Sequence, residues 1–163
     1  MKRETRLYNI LFPLWLIVWF PTWLWLILIP LNYLIDHFVL LGSLKGMENR
    51  KYFARDNAWK VCIAGFLCDL VGSGILLGIM LLFDRSDIRP ETTAALNMNP
   101  FRDIPALLIT VFAVAVSGIL IFLIDRKILV KCGTDREQAK RSAMWLGILT
   151  APYLFLVPSQ IIY

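Results

Sequence analysis

Between Ile104 and Ile124 the chain carries no charged residue, a run as long as the ~20 apolar residues that cross a bilayer. Two further runs match it: Val61 to Phe83, interrupted only by Asp69, and Ala143 to Tyr163. Blocks of this kind exceed what a core of this size can hide. Of the 163 residues 58% are hydrophobic, with mean hydropathy +0.65, against roughly 45–50% in soluble domains. A backbone inside lipid must satisfy its own polar groups, which apolar runs of this length do as helices. The expected fold is an all-α integral membrane protein, a compact bundle of four to five transmembrane segments forming a single domain over 1–163.

The N-terminal block, 7–42, is the difficult part. It is too long for one ordinary span and contains Pro13, Pro21 and Pro30. It reads either as one long kinked helix or as a Pro-broken helical hairpin turning near Phe20-Pro21-Thr22. Charge favours the hairpin. Turning the block back puts Lys2, Arg3 and Arg6 on the same side as Lys45, Arg50, Lys51, Arg55 and Lys60. Arg126, Lys127, Lys131, Arg136, Lys140 and Arg141 join them, as the positive-inside rule prefers. Arg85, Arg89 and Arg102 remain opposite, beside Asp84, Asp87, Glu91 and Asp103.

Aromatic residues argue the same way. Trp15, Trp19, Trp23 and Trp25 centre on the proposed turn, and Trp favours the headgroup level. Trp59 and Trp145, next to the basic stretches, would anchor the opposite interface. The hairpin leaves the N-terminus cytoplasmic and the C-terminus outside. The remaining chain divides into a cytoplasmic or interfacial connector (43–60), a span (61–83) and an outer loop (84–103). A second span (104–124), a cytoplasmic loop (125–142) and a last span (143–163) follow. Thr92 to Met98 fits one short helix in the outer loop, and Thr134 to Glu137 has capping-box spacing.

The net charge of +5 is that of basic loops meeting anionic lipid headgroups, and nucleic-acid binding is not expected. Cys62, Cys68 and Cys132, without CxxC spacing, argue against a disulfide framework or a metal site. The apolar N-terminal block is too long for a signal peptide and is read as retained. No glycosylation sequon is present, which suits a bacterial plasma membrane.

Asp69 is the sharpest chemical signal, a carboxylate about 13 Å into the span that begins at Val61. It reads as a proton or cation site, as the counter-charge of a cationic ligand, or as a neutral side chain bonding between helices. Asn32 and Asp36, spaced i, i+4, and His37 sit at comparable depth under the hairpin reading, beside Pro30. Solvation of Asp36 and His37 near the headgroups is the plainer alternative. Asp125, followed by Arg126 and Lys127, reads as an orientation signal with local pairing. Pro152 and Pro158 can kink the last span and open backbone carbonyls to a cavity.

Gly72, Gly74 and Gly78 offer a small surface for helix packing, with Ser117 and Gly118 as its match in the next span. No HExxH, GxSxG or Walker A motif is present, and no catalytic residue, metal or cofactor is assigned. The first functional reading is a non-enzymatic subunit or oligomerising scaffold, associating with itself or with other membrane proteins. A small proton- or cation-linked transporter or channel using the intramembrane acids is the second. A lipid-acting intramembrane enzyme built on His37 and an Asp is the third.

Overall fold

A computed structural model describes residues 14–18, 23, 25–86 and 89–161. Among these residues the regular structure is helical throughout. Five α-helices follow in order: α1 (Trp25–Ser43), α2 (Arg50–Ser86), α3 (Pro90–Met98), α4 (Ile104–Lys131) and α5 (Arg136–Leu149). Short 3-10 turns lie at Leu14–Val18, Pro100–Arg102, Tyr153–Leu156 and Ser159–Ile161. Three helices, α1, α2 and α4, are long and apolar enough to cross a membrane. The proposed hairpin turn at 20–22 and Trp19 lie outside the described residues.

Four helices close a ring. α1 packs on α2 and α5, α2 on α4, and α4 on α5, with each neighbour antiparallel to the next. The α1–α2 and α4–α5 connections meet at one end, which is the basic end. Arg141 ties them together, its Nη2 donating to the Ser43 carbonyl at 2.8 Å and the Lys45 carbonyl at 3.5 Å. α3 crosses the opposite end. Leu14–Val18 and the C-terminal turns pack there too, Leu14 donating its N–H to Ser159 Oγ and Ser159 donating to the Asn97 carbonyl.

Local chemistry sets most boundaries. Asp103 caps α4 by accepting from Ala106 N at 3.0 Å, with a proline in the first turn where no donor is missed. α4 stops at Cys132 because Gly133 adopts φ +96°, letting Thr134 N reach the Leu129 carbonyl. α5 is then capped by Asp135, which accepts from Glu137 N, and not by the expected Thr134. The Thr134 hydroxyl is buried with no hydrogen-bond partner. An Asp one position closer to the helix, reaching its N2 amide, outcompetes the longer Thr reach.

Two expected boundaries differ. The 43–60 connector is non-helical only as far as Asn49, after which α2 runs unbroken for 37 residues, about 55 Å. Apolar packing explains it, since Ala54 and Ala58 are fully buried against Leu40 and Leu44. The apolar run 143–163 is not a single spanning helix. α5 begins at Arg136, ends at Leu149 after 14 residues, and gives way at Thr150-Ala151-Pro152 to 3-10 turns. Pro152 has no N–H to give a continuing helix, and its ring excludes the preceding residues from helical geometry.

Small residues let the ring close tightly. Gly118 on α4 and Gly147 on α5 bring their backbones into contact. On α2, a Cβ at Gly72 would collide with Ser117 Oγ and lie 3.2 Å from the Phe155 ring. Ser117 uses that closeness to donate across helices to the Cys68 carbonyl at 3.2 Å. Gly74 is half-buried, whereas Gly78 is exposed with open space where a Cβ would stand. The close approach of α2 to α4 is therefore centred on Gly72, not on the Gly74–Gly78 pair.

Candidate functional site

Inside the ring, three carboxylates face inward from three helices. Asp36 comes from α1, Asp69 from α2 and Asp125 from α4. Asp36 and Asp125 are buried almost completely, at 2% and 0% exposure, and Asp69 is half-buried. Asp36 stands within electrostatic reach of both others and within hydrogen-bonding reach of the Thr150 hydroxyl and the Cys62 thiol. Cys68, one residue before Asp69, adds a second buried thiol.

These acids have few partners. Neither oxygen of Asp125 has a hydrogen bond, nor has Asp69 Oδ1. The one ion pair among the described residues is exposed and elsewhere, Arg55 to Asp56 at 3.4 Å. A carboxylate in such surroundings takes a proton or shares a cation, because an isolated charge there is costly. Among the described residues no three His, Cys, Asp or Glu side chains come close enough to hold a metal ion.

Asp125 is the member that sequence reading misplaced. It was expected to pair locally at the basic interface, yet α4 continues to Lys131 and turns Asp125 to the inside. Its spacing carries the signal: Thr110, Ala113, Ser117, Ile121, Asp125 and Leu129 are all buried, three or four apart. Arg126 and Lys127, one and two residues on, fall on other faces and are exposed. Ser142 on α5 is fully buried with an unpartnered hydroxyl. Counted from the Gly118–Gly147 crossing toward the basic end, Asp125 comes after about two turns and Ser142 after about one and a half.

Beside the cluster lies a cavity of about 300 Å³ between α1, α2 and the chain following α5. Its walls are mainly apolar, with Trp25, Phe66 and Phe155 among them, and Asn32, Asp69 and Thr150 supply polar groups. The Pro152 break builds this wall: it ends α5 at the level where Thr150 meets both the cavity and Asp36. Asn32 thus joins Asp69 at the cavity, while Asp36, one turn along α1, points to the ring interior. His37 makes its ring contacts on its own helix, stacking on Tyr33 at 6.1 Å and meeting Phe38 edge-on. Its Nδ1 is buried without a hydrogen bond.

The tryptophans divide. Trp23, Trp59 and Trp145 are exposed, as rings lying against headgroups would be. Trp59 donates Nε1–H to the Asp56 carbonyl and receives Lys60 over its face at 5.8 Å. Trp25 is half-buried at the cavity, 5.1 Å from Phe66. Trp15, expected at the headgroup level, where water would take its N–H, is 2% exposed and donates to the Leu96 carbonyl at 3.1 Å. α3 supplies the partner that water was expected to supply.

Compared with known families, curated proteins and solved structures, the chain matches none of them.

Proposed function

We propose that this chain is a small multi-span membrane protein that takes up protons or cations on a carboxylate cluster within its bundle, as part of a transport path. The observation that supports the reading most is that Asp36, Asp69 and Asp125 enter one bundle from three helices, with no ion pair to any of them among the described residues. Three independent acids are more than a single interhelical hydrogen bond requires, and intramembrane acids facing a bundle interior mark ion and proton pathways. Placing both basic connections in the cytoplasm follows the positive-inside rule. So small a bundle implies that more than one copy assembles around the path.

Reconstitution into liposomes holding a pH-sensitive dye tests the reading. Under an imposed potassium diffusion potential, the protein should carry proton or sodium flux. Asp36→Asn, Asp69→Asn and Asp125→Asn should each reduce it at least about tenfold, as expected when an ion site loses its charge. If wild-type protein carries no flux of protons, sodium or potassium, the non-enzymatic subunit or scaffold is the reading that remains. Its support is the exposed small-residue position at Gly78, open for another helix.

A further inference from the structure

The cavity beside Asp69 has too few oxygens in its wall to suit an inorganic ion. A hydrated cation sheds its water only where several oxygens replace it. Here the polar groups are few and the walls are Trp25, Leu31, Phe66 and Phe155. Asp69 is nevertheless the one charged side chain in its wall. One negative group in an aromatic, apolar chamber complements a ligand with one positive group and a hydrocarbon body. Aromatic faces attract ammonium groups through their quadrupole, and the attraction grows as water is excluded. The remaining surface is stabilised by burial of the hydrocarbon.

We propose that this cavity binds a small amphipathic organic cation, an alkyl- or arylammonium, with its nitrogen at Asp69 and its hydrocarbon part between Trp25, Phe66 and Phe155. The proposal rests on reading Asp69 as a cation-binding carboxylate and names the class of cation it takes at this cavity. A cavity of about 300 Å³ accommodates a single ring or a short chain with a methylated ammonium. Asn32, at the same cavity, offers an amide to orient the head.

Tritiated benzyltrimethylammonium is the probe, measured on the full chain in nanodiscs of zwitterionic lipid, with empty nanodiscs subtracted. Saturable binding is expected, and neutral neopentylbenzene, its carbon isostere, should fail to displace it. Asp69→Asn should weaken binding roughly thirtyfold or more, the scale seen when one member of a buried charge pair is removed. Leu31→Trp, which narrows the cavity at its exposed rim and leaves the carboxylate, should weaken binding at least about tenfold and decides the matter if Asp69→Asn does not fold. The proposal is overturned if folded wild-type protein shows no saturable binding or if the isostere competes equally. Undiminished binding in folded Asp69→Asn or in Leu31→Trp overturns it too. Binding without ion flux in liposomes would remove the transport reading alone; flux without binding would remove only this inference.

Discussion

Gly118 on α4 and Gly147 on α5 touch through their backbones. A Cβ added at Gly147 would stand 2.7 Å from the Gly118 carbonyl oxygen, and one added at Gly118 would stand 2.9 Å from that of Gly147. Both contacts are to main chain, which cannot swing aside as a long side chain does. The crossing sets the register of α4 against α5, and with it the depth of Asp125 relative to Thr150. Gly147→Ala should therefore destabilise the detergent-solubilised protein by about 1–3 kcal/mol, the range for overpacking a close contact. Gly78→Ala, inside a helix with open space at its Cβ, should instead stabilise by about 0.5–1 kcal/mol. Equal effects at the two positions would show that the two backbones do not touch at the crossing.

Asp125 should behave as a residue kept at the expense of stability. Its carboxyl group is fully buried with neither oxygen bonded, and such groups carry a penalty of about 1–3 kcal/mol. Asp125→Val removes the polar atoms at similar volume. The variant is expected to melt higher than wild type in detergent while losing ion flux in liposomes. A lower melting temperature would mean that the carboxyl group has a stabilising partner in the folded protein.

Arg141 clamps the basic end. Its guanidinium holds the carbonyl of Ser43, the last residue of α1, at 2.8 Å and reaches Lys45 at 3.5 Å. Those oxygens lie where a helix has no internal donors left. Arg141→Ala should lower stability by about 1.5 kcal/mol, the scale of a hydrogen bond from a charged donor. Arg141→Lys keeps the charge but loses the planar fork, so it should recover less than half of that. Thermal melts of the two variants separate geometry from charge.

Trp15 tests the opposite end. Trp15→Phe keeps most of the ring burial but leaves the Leu96 carbonyl without its side-chain donor. A loss of about 1–2 kcal/mol is expected, with faster hydrogen exchange confined to α3 and Leu14–Val18. Exchange that rises evenly over α1, α2 and α4 instead would place Trp15 in the common core.

Much of this arrangement is legible in the residues themselves. Apolar runs mark α4 and the inner part of α2, and Gly133 marks where α4 stops, whereas α3 opens at Pro90, two residues before the expected Thr92. Asp69 stands out because an acid deep in an apolar run has few harmless explanations. Asp125 did not, because Arg126 and Lys127 beside it imitate a solvated helix end. Only the buried series at three- and four-residue spacing sets it apart, and that series shows once α4 is known to reach Lys131. The meeting of Asp36 with Asp125 depends on ring order, which no local pattern encodes. The closing of α5 at Pro152 was foreshadowed as a kink. That the break would become a cavity wall required knowing what packs against it.

The length of α2 has one more consequence. At about 55 Å it exceeds the ~30 Å hydrocarbon layer, and no proline interrupts it from Arg50 to Ser86. Its basic end, bearing the exposed rings of Tyr52 and Trp59, is therefore mechanically continuous with Asp69. That end is held by Ala54 and Ala58 against Leu40 and Leu44, so the helix is a single strut joining the basic connection to the level of the carboxylate.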